Sequence, residues 1–222
     1  MTLEEQWAEM AQRQDREKLE SYRQLNRLAK KGQVVFTGSS LMEQFPLNEM
    51  LQGEALPYRV YNRGMSGFVA PQLLQVLDVC VVELAPAHVF LNIGTNDMSR
   101  PDYRQEALLA CYRRILEEIL SHVPGVKLHL LAYYPVNPDL EGQEGWAAEA
   151  LRYRTNQVLR EANRGVEALA REMGAEYLDL NAPLLDGQGR LRAQYTKEGI
   201  HLYPAGYQAV LGELLPVLRS LS

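Results

Sequence analysis

Hydrophobic and polar residues follow one another along the chain in blocks that predict short strands separated by amphipathic helices. Five short runs are mostly apolar or β-branched, as expected for strands of a parallel sheet covered on both faces. Between these runs, apolar residues recur every three or four positions, which is the spacing of a helix with one buried face. The predicted strands are 34–37, 59–62, 88–93, 126–132 and 177–180.

The helical blocks are long enough to connect parallel strands through right-handed crossovers. They cover residues 71–84, 102–122 and 146–173, and a last helix begins at Pro204. The pattern therefore predicts an α/β fold with three layers (α/β/α). Its sheet is a flavodoxin-like five-stranded parallel sheet with the strand order 2-1-3-4-5.

A further amphipathic helix is predicted before the first strand, over residues 2–30. Its apolar positions fall into two groups, Leu3, Trp7 and Met10, then Leu19, Tyr22, Leu25 and Leu28. Either this helix covers the apolar surface of its own domain or it contacts a second copy of the chain, which would give a homodimer. No linker divides the sequence, so residues 1–222 are interpreted as one domain, with 1–31 as an appended helix and 32–222 as the body.

Composition and charge narrow the class of protein. The net charge is −5 and the pI is about 5.5, which argues against a nucleic-acid partner or an anionic membrane surface. No apolar run approaches the roughly 18 residues of a membrane span, so no integral membrane association is expected. The first residues lack a signal-peptide pattern, and Cys80 and Cys111 lack metal or redox spacing. We expect two buried free thiols and a cytoplasmic protein.

Candidate chemistry lies at the ends of the predicted strands. Three turns carry a glycine with a hydroxyl or amide residue beside it, namely Gly38 with Ser40, Gly67, and Gly94 with Asn96. All three turns open on the carboxyl edge of a parallel sheet, where such folds bind ligands. The last segment adds Glu198 and His201. A serine, an imidazole, a carboxylate and amide donors are the parts that acyl transfer requires.

These segments resemble the four sequence blocks of the SGNH, or GDSL-type, hydrolase family. The blocks are Gly38-Ser39-Ser40-Leu41, Asn62-Arg63-Gly64-Met65-Ser66-Gly67, Gly94-Thr95-Asn96-Asp97 and Glu198-Gly199-Ile200-His201-Leu202. They occur in the family's order, within residues 34 to about 218. Within the family, the chain is most similar to bacterial esterases that resemble platelet-activating-factor acetylhydrolase subunits and lysophospholipases.

The resemblance implies a role for each matching position. Ser40 would be the nucleophile and His201 the general base. The backbone N–H groups of Ser40 and Gly67 and the side-chain amide of Asn96 would form the oxyanion hole. For Glu198 two interpretations stay open: it is the acid of the triad, or it is exposed while a backbone carbonyl orients His201. The family implies no metal and no organic cofactor.

Two positions depart from the family pattern. Ser39 stands where the family usually has aspartate before the nucleophile, and this implies a local change in hydrogen bonding with the chemistry intact. Glu198 stands where the family has aspartate three residues before the histidine. Glutamate carries the same charge on one more methylene, so its carboxylate must fold back to reach the imidazole Nδ1.

The resulting hypothesis is a cytoplasmic serine esterase or acetylhydrolase. It would cleave a short-acyl carboxylic ester of a sugar or lipid through an acyl-enzyme on Ser40. Two alternatives stay open: a lysophospholipase acting on longer acyl chains, and a catalytically weakened domain that binds a ligand without cleaving it. A nucleotide-binding protein is disfavoured, because no strand is followed by a phosphate-binding loop motif.

Other side chains are weighed against this assignment. Ser66 resembles a nucleophile elbow, but Phe68 stands where the second glycine belongs. Three further histidines have no candidate acid beside them and are interpreted as structural: His88, His122 and His129. Asp97 is interpreted as a helix or turn cap rather than a second acid. Aromatic residues that could line an acyl or leaving-group pocket are Tyr133, Tyr134, Trp146 and Tyr203.

Overall fold

A computed structural model describes residues 2–140 and 144–221 and shows a five-stranded sheet with the order β2-β1-β3-β4-β5. Every pair of neighbouring strands is parallel. The predicted fold class and strand order are therefore confirmed. The strands are β1 (Val34–Gly38), β2 (Val60–Gly64), β3 (His88–Asn92), β4 (Lys127–Leu131) and β5 (Glu176–Leu178).

The register aligns the carboxyl ends of the three strands that lead into the candidate blocks. Gly38, the last residue of β1, pairs with Gly64 of β2 and with Asn92 of β3. The loops that follow these strands therefore start at the same level of the sheet. This alignment brings sequence segments about thirty residues apart to one edge.

Helices cover both faces of the sheet. They are α1 (Leu3–Leu28), α2 (Ser40–Glu43), α3 (Leu47–Met50), α4 (Ala70–Leu74), α5 (Leu77–Cys80), α6 (Gln105–His122), α7 (Gly145–Leu151), α8 (Asn156–Met173) and α9 (Pro204–Ser220). One core lies between the sheet and α4, α5, α6 and α8. The other lies between the sheet and α2, α3 and α9, where Phe36 stacks on Phe90 with ring centroids 4.5 Å apart.

Two of the predicted helices are broken in the structure. The segment 71–84 forms α4, α5 and a 3₁₀ turn at Val82–Leu84. Its several valines have restricted side-chain rotamers in a helix, which weakens helix propagation. The segment 146–173 is interrupted at 152–155, where the Thr155 hydroxyl accepts a hydrogen bond from the Val158 N–H at 3.2 Å. This bond caps the start of α8, so Thr155 begins a new helix rather than continuing the old one.

Helix α1 has two halves with different surroundings. Its second half packs on the body, because Leu19 and Tyr22 contact the core and Asn26 is buried. The side chains of residues 5–14 are exposed all round the helix. Trp7 is 65% exposed and Met10 is 48% exposed. The interpretation that α1 covers its own domain is thus confirmed for the second half only.

Cys80 is buried and Cys111 is partly exposed, and both are free thiols. The expectation of two buried thiols is therefore correct for Cys80 and wrong for Cys111, which is only partly buried where α6 packs against the core. Burial raises the pKa of the Cys80 thiol to about 12. None of the helices in the described ranges has both the length and the apolar character that crossing a membrane requires.

Candidate active site

Ser40 is the first residue of α2 and lies directly beyond the end of β1. Gly38 makes this turn possible, because a Cβ built there would lie 1.9 Å from the Asn92 carbonyl oxygen of the neighbouring strand. The backbone therefore passes closer to β3 than any side chain permits. As the first residue of a helix, Ser40 also has a backbone N–H without an intrahelical partner.

The structure places His201 and Glu198 in line with Ser40. The Nε2 atom of His201 lies 2.8 Å from the Ser40 Oγ, and its Nδ1 atom lies 2.7 Å from Glu198 Oε1. Both distances are those of hydrogen bonds. Three side chains separated by up to 161 residues thus form one continuous serine–histidine–carboxylate chain, which is the geometry of a catalytic triad.

Glu198 reaches the imidazole because its side chain folds back over its own turn. The same Oε1 atom also accepts a hydrogen bond from the backbone N–H of His201 at 2.8 Å. Burial by itself raises the pKa of Glu198, but the hydrogen bonds from His201 outweigh it, so the pKa lies below its ordinary value. The extra methylene of glutamate is therefore accommodated, and the carboxylate is held in its charged form.

Thr196 fixes the turn that carries this pair, and sequence reasoning missed it. Its buried hydroxyl donates to the His201 carbonyl at 2.9 Å and accepts from the Gly199 N–H at 2.9 Å. The backbone on either side of His201 is thus closed into a tight loop. The signal was present in the sequence, because threonine is a common hydrogen-bonding residue at the start of a turn.

The three predicted oxyanion-hole donors lie on loops that are hydrogen-bonded to one another. The Met65 N–H donates to the Gly38 carbonyl at 2.8 Å, and the Asn96 Nδ2 donates to the Phe68 carbonyl at 2.9 Å. Gly67 has φ = 79° in the turn closed by Phe68 and Met65, and this positive φ suits the third position of a type II turn. The loops after β1, β2 and β3 therefore converge beside Ser40.

Ser39 makes a short-range contact in place of the aspartate that the family pattern has there. Its Oγ lies 3.4 Å from the Thr95 Oγ1, and both side chains are buried. The contact joins the first block to the third without introducing a charge. Ser40 is in line with His201 beside this contact, and the expected change in hydrogen bonding relative to aspartate stays a prediction.

The four aromatic candidates separate into two pairs. Tyr133 and Tyr134 are only 1% and 2% exposed, and the Tyr133 hydroxyl donates to the Ile93 carbonyl at 2.7 Å. Both rings pack in the core, and Tyr133 also borders a cavity against α8, so a role of these two at a substrate pocket stays a prediction. The Trp146 ring lies 5.3 Å from the His201 ring and is 57% exposed, and Tyr203 is 46% exposed. This second pair is the more exposed, and Trp146 lies beside His201.

The competing residues lie elsewhere or have structural partners. The backbone N–H of Ser66 donates to Glu43 Oε2 at 2.6 Å, and the Ser66 side chain is exposed, whereas Ser40 is buried. Asp97 accepts the backbone N–H of Ala70 at 3.0 Å, so it caps the start of α4, and burial raises its pKa. His88 and His129 contact each other at 3.0 Å near the amino end of the sheet, and His122 is exposed at the end of α6.

Arg154 is a second residue that sequence reasoning missed. It lies in the break between α7 and α8, is 3% exposed, and donates to the Oδ1 of Asn96 at 2.9 Å. The sequence analysis predicted a continuous helix over 146–173, so it did not identify a break in which Arg154 could reach the candidate site. The capping pair Thr155-Asn156 was the available signal, since threonine before a helical block is a common helix start.

Known proteins resemble this chain in sequence and in fold. The model of the GDSL-like Lipase/Acylhydrolase family matches residues 46–209, a segment that begins just after Ser40. A solved structure from Streptococcus pneumoniae, provisionally described as a platelet activating factor, superposes with a TM-score of 0.85 at 29% identity. The match covers 96% of this chain and 97% of that one.

Two curated relatives are more distant. An isoamyl acetate-hydrolyzing esterase 1 homolog from Bos taurus is 27% identical over 177 residues, which cover 72% of this chain and 68% of that protein. The N-acylneuraminate cytidylyltransferase of Escherichia coli O18:K1:H7 is 22% identical over 219 residues, or 94% of this chain. The chain spans only 47% of the length of that second relative. The family match covers most of the sequence and includes three of the four blocks, whereas the first block, with Ser40, precedes the matched segment. The chain therefore belongs to the GDSL-like lipase/acylhydrolase family.

Proposed function

We propose that this protein is a serine esterase that removes a short acyl group, such as acetyl, from a sugar or lipid through an acyl-enzyme on Ser40. The observation that carries the proposal is the hydrogen-bonded chain from Ser40 through His201 to Glu198. Donors at the same edge of the sheet supply the oxyanion hole. The family match supports ester hydrolysis independently of these distances.

The reaction would proceed in two halves. The Ser40 Oγ attacks the ester carbonyl while His201 Nε2, 2.8 Å away, takes the hydroxyl proton. The Glu198 carboxylate stabilises the imidazolium that forms. The negative carbonyl oxygen accepts hydrogen bonds from the N–H groups of Ser40 and Gly67 and from Asn96. The C–O bond of the ester then breaks, and His201 returns the proton to the leaving alcohol.

Water completes the turnover by the same steps. His201 removes a proton from water as the oxygen attacks the acyl carbon. The second tetrahedral intermediate collapses, the proton passes to the Ser40 Oγ, and a carboxylic acid leaves. Each half uses the same oxyanion hole, and neither half as written calls on a metal or an organic cofactor.

The substrate class is proposed from the surroundings of His201. Trp146 offers a half-exposed flat apolar ring beside the imidazole, against which a sugar ring or a short alkyl group can pack. The name of the Bos taurus relative refers to an acetate ester, which supports a short acyl group. Rates on p-nitrophenyl esters of increasing acyl length distinguish this proposal from a lysophospholipase: a maximum at acetate supports it, and a maximum at long chains overturns it.

Glu198 was the reason to consider a domain that binds an ester without cleaving it. Its Oε1 lies 2.7 Å from His201 Nδ1, so the reason for that alternative is weakened.

Free thiols at Cys80 and Cys111 agree with a reducing compartment, and we propose a cytoplasmic location on that ground. We also propose that the chain is a single domain. A homodimer through the exposed start of α1 stays a proposal that light scattering on the purified protein decides.

The first prediction concerns Ser40. We expect Ser40→Ala to reduce the hydrolysis of p-nitrophenyl acetate by at least about 10³-fold, because the nucleophile is lost and only weak residual catalysis remains. A fluorophosphonate probe should label the native protein and not this variant. Ser66→Ala is the matched control and should retain the native rate. Full activity in Ser40→Ala would refute the assignment.

A further inference from the structure

Arg154 is a buried cation whose contacts lead to the candidate oxyanion hole. Its Nη2 donates to Asn96 Oδ1 at 2.9 Å, and its Nε donates to the Ser99 hydroxyl at 2.8 Å. Within the described part of the chain, no carboxylate oxygen lies within 4.0 Å of the guanidinium. We propose that Arg154 is a positioning residue, which orients the Asn96 amide and makes its free N–H a stronger donor to the oxyanion. This inference rests on the proposed function of Ser40 and Asn96.

The amide of Asn96 is fixed from both ends. Its Oδ1 accepts the bond from Arg154, and its Nδ2 donates to the Phe68 carbonyl at 2.9 Å. A flipped amide would set its nitrogen against a guanidinium donor and its oxygen against a carbonyl, so both bonds would be lost. Since Nδ2 carries two hydrogens, one N–H is left for the substrate oxygen. Without Arg154, only the Phe68 carbonyl would oppose a flip.

The charge of Arg154 also strengthens the donor. Burial lowers the pKa of Arg154 to about 10, which leaves the side chain protonated at neutral pH. A hydrogen bond from a charged group polarises the amide that accepts it, so the remaining Asn96 N–H becomes a stronger donor. The carboxylates of Asp97 and Glu198 attract the guanidinium from a distance and help to hold it there.

A purely structural role makes a different prediction. Through Ser99, Arg154 joins the break between α7 and α8 to the 3₁₀ turn at Asp97–Ser99. If that link were its whole function, removal of the side chain would lower the stability of the protein and leave turnover by the folded fraction unchanged. A positioning role predicts a selective loss of kcat.

The test compares Arg154→Ala, Arg154→Lys, Asn96→Ala and the double variant Arg154→Ala/Asn96→Ala on p-nitrophenyl acetate, with each folded fraction measured by urea unfolding. Removal of one oxyanion-hole donor costs about 10²–10³ in kcat in other enzymes, so Asn96→Ala should fall in that range. Arg154→Ala should lower kcat by about tenfold or more and leave KM within about twofold. The double variant should be no slower than Asn96→Ala alone, because both changes disable the same donor.

Arg154→Lys keeps the charge but has one nitrogen in place of two donating positions, so it should recover part of the lost kcat. If Arg154→Ala does not fold, this lysine variant alone carries the test, with an intermediate kcat expected. Arg152→Ala is the matched control, since Arg152 lies two residues away, is exposed and pairs with Glu149. It should leave kcat and KM unchanged.

Two outcomes would overturn the inference: native kcat in the folded Arg154 variants, or losses from Arg154→Ala and Asn96→Ala that multiply in the double variant. Failure of the proposed function has a different signature. In that case the native protein shows no turnover, or Ser40→Ala retains it. An active native protein, an inactive Ser40→Ala and an unaffected Arg154→Ala would reject only the role of Arg154.

Discussion

At the scale of residues, the candidate site contains some side chains that could be predicted from the sequence and others that could not. Ser40, His201 and Asn96 could be predicted because each lies in a short block with a recognisable spacing. It could not be predicted from the sequence whether the Glu198 carboxylate reaches His201 Nδ1. That contact depends on one folded-back side-chain rotamer and on the turn that Thr196 closes. Arg154 could not be predicted either, since only the folded chain brings it to Asn96.

Glu198 provides a prediction at this scale. We expect Glu198→Gln to lower kcat by about 10²–10⁴, because the amide no longer stabilises the imidazolium or fixes its tautomer. Glu198→Asp should keep part of the rate, since it preserves the charge on a shorter side chain. Steady-state kinetics at pH 7.5, with circular dichroism to verify folding, measures both. An unchanged kcat in Glu198→Gln would remove Glu198 from the triad.

At the scale of elements, apolar spacing predicted where helices lie but not where they break. The apolar positions between Trp146 and Met173 keep a helical period across 152–155, so periodicity alone suggested one helix. The cap at Thr155 decides the boundary, and a hydrogen bond of one side chain is a weaker sequence signal than a stripe of leucines. Similarly, the pattern marked both halves of α1 as amphipathic, although only the second half packs on the body.

The two halves of α1 should therefore differ in their effect on stability. Asn26 is 2% exposed, donates to the Val79 carbonyl and to Glu83, and accepts from Arg63 Nε at 2.9 Å. Asn26→Ala should lower the free energy of unfolding by about 1–3 kcal/mol or more, because it leaves buried polar groups unpaired. Trp7→Ala on the exposed half should change it by less than about 0.5 kcal/mol. Urea denaturation measures both, and equal effects would contradict this division.

At the scale of the whole molecule, His201 lies at one edge of the parallel sheet, and the buried pair His88 and His129 lies toward the other. His201 lies at the carboxyl edge with Ser40, whereas His129 lies toward the amino end, 2.6 Å from Glu176 and stacked on Phe90. The sheet order was predictable because strands and crossover helices alternate along the entire chain. The buried contact between His88 and His129 was not, since it depends on the register of β3 against β4.

The burial of His129 predicts how the free energy of unfolding varies with pH. Burial lowers the pKa of His129 despite the opposing bond to Glu176. The unfolded chain takes up this proton near pH 6.5, above the folded pKa, so it binds more protons in that interval. The free energy of unfolding should therefore fall as the pH drops from about 6.5 through the folded pKa. Between pH 7.5 and 5.5, the urea midpoint of His129→Gln should fall less than that of the native protein.

His122→Gln serves as the control for this prediction, because His122 is exposed at the end of α6 and should not change the pH dependence. Identical slopes in the native protein and in His129→Gln would contradict the assignment to His129. Since this histidine lies away from the carboxyl edge, kcat on p-nitrophenyl acetate should be native in His129→Gln.

The contact between Trp146 and His201 has an optical consequence. The chain has two tryptophans, and the ring centroid of Trp146 lies 5.3 Å from that of the His201 imidazole. A protonated imidazole accepts an electron from an excited indole more readily than a neutral one does, so it quenches indole emission. The other, Trp7, lies on the exposed half of α1 and supplies a constant background. The protein thus carries its own fluorophore at the candidate site, and if His201 is the general base proposed above, a change in its charge should alter the emission of Trp146 without an added dye.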